Sequence, residues 1–225
     1  MIGEDKALAE KIGAVLIEAR RYSSFVNDAE DEFHKKVRLH CRKAGLQCHE
    51  DTTTDRVAAI FEQTQSAFRS AAFEARCYES FRRIWIDNTA GALPDEISHL
   101  THHFGHRFPL SLYIFSEYLG TPEFRCAFPN SEFAERLFEE FFPRAEHARH
   151  AVAHESDRNL GKSVKYVSGK KIPTLFEISF NQASISDAGY KYVDRDGQRF
   201  ELKFSTEDLE LFWQAFCNYV RSECV

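Results

Sequence analysis

An arginine and a histidine stand five positions apart in the segment Arg149-His150-Ala151-Val152-Ala153-His154-Glu155-Ser156-Asp157-Arg158. Small apolar residues separate them. Arginine is a permanent cation whose planar guanidinium can hold a phosphate. Histidine gains and loses a proton near neutral pH, so it serves as acid or base. Together the two residue types point to phosphodiester chemistry, with RNA as the expected substrate. Such pairs are common: with 18 arginines and 10 histidines, roughly two or three arise by chance at four to six intervening residues. The chain holds three, Arg42 with His49, Arg144 with His150, and Arg149 with His154. The case for the last therefore rests on its context.

The same segment offers a second constellation. His147, His150 and His154 fall at i, i+3 and i+7, on one face of a helix, with Arg144 and Arg158 flanking them. Upstream, His99, His102, His103 and His106 form another cluster. Two histidine-bearing helices facing each other would suit zinc or iron, although the first cluster has no carboxylate at ligand spacing. The plainer alternative is that these histidines are solvated or close a helix end. A third pattern is the mirrored pair His40-Cys41 and Cys48-His49, four potential zinc ligands whose spacing matches no common zinc module. Its alternative is a polar connection between two helices.

Composition narrows the class. The 225 residues suit one large domain or a domain with an appendage. Hydrophobic residues make up 43% and phenylalanine numbers 21, enough for a packed core. The net charge of −6, from 35 acidic and 29 basic residues, argues against nonspecific nucleic-acid binding driven by overall charge. It leaves room for a local basic site. Arg158, Lys162, Lys165, Lys170 and Lys171 form such a run. It either draws RNA in or is the exposed face of a hairpin. No apolar run is long enough to span a membrane. The acidic start Met1-Ile2-Gly3-Glu4-Asp5-Lys6 is unlike a signal peptide. A cytoplasmic protein is expected, with the cysteines at 41, 48, 77, 126, 217 and 224 reduced.

The elements that must position this chemistry are mostly helical. Residues 4–40 carry apolar positions at helical spacing, including Leu8, Ile12, Val15, Leu16, Ala19, Tyr22, Phe25 and Val26. Gly45 and the threonines 52–54 interrupt the pattern. Thr54 or Asp55 is expected to cap a long helix to about Ile86. Pro94-Asp95-Glu96 suits the first turn of a short helix to His103. Another is expected from Pro109 to Tyr118, ended by Gly120 and Pro122. Ser131 starts the next, with a stripe at Phe133, Phe138, Phe141 and Phe142 that reads as core or dimer interface. Pro143 kinks or restarts it, and the restarted helix carries Arg149 and His154 to about Leu160. After Gly161 the pattern alternates. Strands are expected at 165–170, at 175–180, and as a hairpin of 190–193 with 200–204 around Asp196-Gly197. Ser205 and Thr206 cap a last helix to about Arg221. The expected fold is mainly α with a small β part (α+β): a helical bundle over 1–160, then over 161–225 an antiparallel meander and a closing helix packed on the bundle.

In that setting the segment resembles the HEPN superfamily, whose ribonucleases carry Arg, a polar residue, three further residues and His near the end of a helical bundle. Here those positions are Arg149, His150 and His154. Most such motifs have Asn or Asp where this chain has His150. The resemblance spans roughly residues 1–160, with the last helix the specific part. It implies a metal-independent endoribonuclease without a cofactor, of the kind found in toxin–antitoxin pairs and phage defence. His154 would be the general base or acid, Arg149 would hold the scissile phosphate, and His150 would position it. Arg144, Arg158 and Lys162 are the expected substrate-binding cations. Five residues on a straight helix are about 140° apart, so Arg149 and His154 would not share a face. In HEPN families the site lies at a two-fold interface, which resolves this and implies a homodimer. RNA and an antitoxin protein are the implied partners. A catalytically silent module that binds a partner or nucleotide, and a His-rich metal-binding protein, are the alternatives.

Overall fold

The computed structural model describes residues 2–27, 31–48, 53–87, 95–143, 145, 148, 166–167, 170–171, 184–185, 189–193, 199–203 and 205–224. These residues are mainly helical. Helix α1 (Ile2–Tyr22) runs into a 3₁₀ turn at Ser23–Val26 and is followed by α2 (Asp31–Gln47). The helical spacing over 4–40 is thus two helices rather than one. The break has a local cause. The hydroxyls of Ser23 and Ser24 donate to the carbonyls of Arg20 and Arg21 at 3.1 and 2.8 Å, and so compete with the backbone ladder.

Helix α3 (Thr54–Asp87) is the long central element. The Thr53 hydroxyl accepts from the Arg56 N–H at 3.4 Å, and the Thr54 hydroxyl instead donates to the Gly45 carbonyl at 3.2 Å. Capping therefore falls one residue earlier than the expected Thr54 or Asp55. α3 packs along α4 (Asp95–Leu119) and also carries α1 and α2. α4 corrects the expectation of two short helices, because it continues through Pro109. A proline inside a helix costs about 3 kcal/mol or more. Here Phe104, Phe108, Pro109, Leu112 and Phe115 are all buried. Burying large side chains at roughly 1.5–3 kcal/mol each outweighs the lost backbone bond.

Gly120 ends α4, but Pro122 opens a helix instead of only breaking one. In α5 (Pro122–Ala127), Thr121 caps the Phe124 N–H at 3.2 Å and proline occupies the first turn, where no N–H is required. α6 (Ser131–Phe141) follows. Past it, Phe142 and Pro143 leave the helix, while Ala145 and Ala148 are again helical and are buried.

Strands follow among the described residues, none before Tyr166. β1 (Tyr166–Val167) pairs antiparallel with β2 (Lys170–Lys171). β3 (Ser184–Ile185), β4 (Gly189–Val193) and β5 (Arg199–Lys203) lie side by side, with Ser184 facing Lys191 and Val193 facing Arg199. The strand expected at 175–180 lies outside the described residues. Helix α7 (Thr206–Glu223) opens on a capping box. The Ser205 hydroxyl accepts from the Asp208 N–H at 3.0 Å, and the Asp208 carboxylate accepts from the Ser205 N–H at 3.1 Å.

The core is aromatic. Phe68 of α3 stacks on Trp213 of α7 with centroids 5.0 Å apart. Phe212 of α7 meets Phe115 of α4 edge-on at 5.5 Å and Phe142 at 5.2 Å. Helices from both ends of the chain thereby close one hydrophobic interior.

Candidate functional site

Arg144, His147, Arg149, His150, His154, Arg158 and Lys162, the residues expected to bind and cleave, lie outside the described residues. So does Lys165, while Lys170 and Lys171 form β2. What is described is the approach to that segment. The Ala145 N–H donates to the Phe142 carbonyl at 3.1 Å. Ala145 and Ala148, three apart on a helix, are both in the core.

Among the described residues the upstream histidines do not gather into a metal-binding group. His102 and His106 lie with ring centroids 6.4 Å apart, and the exposed His103 sets its ring edge-on to Phe104. Among the described residues no group of three or more His, Cys, Asp or Glu is placed to hold a metal ion. The mirrored His-Cys pairs also part company. Cys48 is bonded to Cys126 of α5, with Cα atoms 6.1 Å apart. The Cys41 thiol is buried, which pushes it up to about 12. His40 Nε2 lies 2.6 Å from the Ala127 carbonyl, and His49 is outside the described residues. The expectation of six reduced cysteines is corrected with it. α2 and α5 pack together and bring Cys48 and Cys126 within bonding range across 78 residues.

The phenylalanine stripe divides. Phe138 and Phe142 are core, whereas Phe133 is 46% exposed and leans on Tyr219 with centroids 5.4 Å apart. The two line a groove of about 840 Å³ between α6 and α7.

Sequence reading missed a buried acid. Glu74 of α3 is 5% exposed, in an otherwise apolar stretch that includes Ala71, Ala75 and Tyr78. Its Oε1 accepts from Arg107 Nε of α4 at 3.1 Å, and its Oε2 is buried with no hydrogen-bond partner. Burial raises its pKa above the ordinary carboxylate range, and the Ser111 hydroxyl, Arg107 and His103 oppose that rise. One turn from His103, His106 is pushed down to about 4, chiefly by burial and secondarily by His103. The α3–α4 seam thus holds a buried carboxyl that Arg107 ties down and its own desolvation opposes, on the same helix pair that carries His106. Buried titratable groups with shifted pKa values mark functional sites more often than chance does. An acid at i+3 from Ala71 and i−4 from Tyr78, on the buried face of α3, was the available signal.

The seam continues into a cavity of about 450 Å³ where α1, the 3₁₀ turn and α3 meet, with Glu74 in its lining. No family model, no curated protein and no solved structure matches this chain. No helix among the described residues is long and apolar enough to cross a membrane.

Proposed function

We propose that this chain is a HEPN-like, metal-independent endoribonuclease that cleaves single-stranded RNA as a homodimer, in the manner of a toxin or phage-defence factor. The observation that carries the reading is the Arg149–His154 pattern placed directly after a helical bundle. The buried helical pair Ala145 and Ala148 leads into it. The antiparallel strands after residue 165 are read as a small meander added outside the HEPN-like bundle.

In the proposed reaction the 2′-hydroxyl attacks the adjacent phosphorus. His154 takes the hydroxyl proton. The P–O5′ bond breaks, the departing 5′-oxygen takes a proton from solvent water, and a 2′,3′-cyclic phosphate remains. Arg149 stabilises the charge that develops on the phosphate oxygens. His150 positions the phosphate, and Arg144, Arg158 and Lys162 hold the flanking backbone. Pairing across the dimer brings Arg149 of one protomer to His154 of the other, which removes the 140° separation on a single helix.

The test uses purified wild type and single-stranded RNA in excess chelator, with product ends read by mass spectrometry. Cleavage to cyclic phosphate ends is expected. His154→Ala should abolish it, and Arg149→Ala should cost on the order of 10²-fold or more. Activity lost with chelator, with equal losses for His147→Ala, His150→Ala and His154→Ala, would replace this reading with a metal site. No cleavage by the wild-type dimer would leave a silent module that binds a partner or nucleotide.

A further inference from the structure

The cavity beside Glu74 has an unbalanced charge. Two of its lining residues, Arg20 of α1 and Arg69 of α3, are exposed cations. The acids around them are engaged elsewhere: Glu18 and Glu79 pair with Arg76, and Glu74 pairs with Arg107. Among the described residues no acid partners Arg20 or Arg69. Among the described residues the lining therefore carries two unpaired cations, Arg20 and Arg69, and one buried acid, Glu74, that is paired with Arg107, in a volume within the usual range of small-molecule sites, roughly 300–1,000 Å³. Two arginines lining one space suit a dianion, and a phosphate monoester is the common biological dianion of that size.

The remaining polar lining specifies the rest of the molecule. The hydroxyls of Ser23, Ser24 and Ser70 donate to the carbonyls of Arg20, Arg21 and Ser66 at 3.1, 2.8 and 3.1 Å. Their hydrogens are used, so their oxygens are left as acceptors; Ser23 is buried, and Ser24 and Ser70 are the exposed ones. Acceptors of that kind recognise ligand hydroxyl groups. The half-buried ring of Phe73 supplies an apolar wall, and its own edge-on contact with Phe104 at 6.1 Å holds it in place.

We infer that the cavity between α1, the 3₁₀ turn and α3 is a binding site for a small hydroxylated phosphate monoester, of the sugar-phosphate or ribonucleotide class. Arg20 and Arg69 hold the phosphate, and the Ser24 and Ser70 oxygens accept from the hydroxyls. The site is built from residues other than those of the Arg149–His154 pattern and does not depend on RNA cleavage.

Isothermal titration calorimetry on the full chain tests this, with ribose 5-phosphate, AMP, inorganic phosphate and ribose as probes. At least one of ribose 5-phosphate and AMP should bind at one site per chain in the micromolar to millimolar range. Inorganic phosphate should bind more weakly and ribose not measurably. Tighter binding of AMP assigns the nucleotide class, and tighter binding of ribose 5-phosphate assigns the sugar phosphates. Arg20→Ala and Arg69→Ala, both surface changes, should each weaken binding about tenfold or more, as loss of a charged hydrogen bond does. The inference is overturned if neither monoester binds at millimolar concentration, or if both arginine variants bind as wild type does. It is also overturned if Arg149→Ala alone removes binding, which would place the anion in the Arg149–His154 segment.

Discussion

Glu74 has two chemical demands on it. Burial disfavours its charge, while Arg107 and Ser111 favour it, and burial is the larger effect. Its folded pKa therefore lies above the ordinary 4.5, so the stability it contributes is present at low pH and declines as pH rises through the folded value. Glu74→Gln cannot ionise. Its stability relative to wild type should rise with pH across that window, as read from urea midpoints between weakly acidic and neutral pH. A flat difference would show that the carboxyl titrates as an exposed group. His106 behaves with the opposite sign. Its folded pKa of about 4 lies below the ordinary 6.5, so the wild type should lose stability as pH falls from 6.5 toward 4. His106→Gln should flatten that loss in the same melts. An unchanged slope would mean that other groups carry the acid sensitivity.

Two glycines make the same contrast between elements. Gly45, near the end of α2, sits where an added Cβ would lie 3.0 Å from the Thr54 carbonyl oxygen and 3.1 Å from the Thr54 Cα. Those atoms are backbone at the start of α3 and cannot turn aside. Gly45→Ala should therefore destabilise: overpacking costs about 1–3 kcal/mol and exceeds the helix-propensity gain of up to about 1 kcal/mol. Gly13, in the middle of α1, meets nothing within 4 Å. Gly13→Ala should stabilise by about 0.5–1 kcal/mol. Denaturant midpoints for the pair should move in opposite directions. If both fall, α1 is not seated as described.

At the scale of the molecule, the Cys48–Cys126 bond ties the end of α2 to α5 across 78 residues. Closing a loop of that length restricts the unfolded chain by about 4 kcal/mol in the chain-entropy account. Reductant should lower the guanidinium midpoint of wild type by a matching amount and leave Cys126→Ser unmoved. A wild type indifferent to reductant would mean that the two sulfurs are unbonded in solution. The aromatic interior bears the rest of the load. Phe212 contacts Phe68, Phe115, Phe138 and Phe142 at once. Truncating it to alanine is expected to cost about 3–5 kcal/mol, with calorimetry as the check.

What the amino-acid sequence determined by itself was whatever depends on neighbours a few positions apart. The 3.6-residue spacing and the capping and acidic residues at helix starts placed α3, α6 and α7 to within a few residues. Ser205 and Thr206 announced the cap of α7, and the Asp196-Gly197 turn signal marked the strand pair β4 and β5. The Arg149–His154 pattern is likewise a local reading, and the proposed ribonuclease activity still rests on it. Tertiary structure decided the questions in which distant residues compete for burial. Pro109 breaks a helix in isolation, but its neighbours Phe108 and Leu112 sit in a shared core that holds α4 continuous. Ser23 and Ser24 end α1, yet only the packing of α3 beside them encloses a cavity with Arg20 and Arg69. Cys48 and Cys126 find each other because α2 meets α5. Glu74 reads as one more surface acid until α4 covers it. Its raised pKa comes from a desolvation that the packing of helices imposes and that no short window of sequence contains.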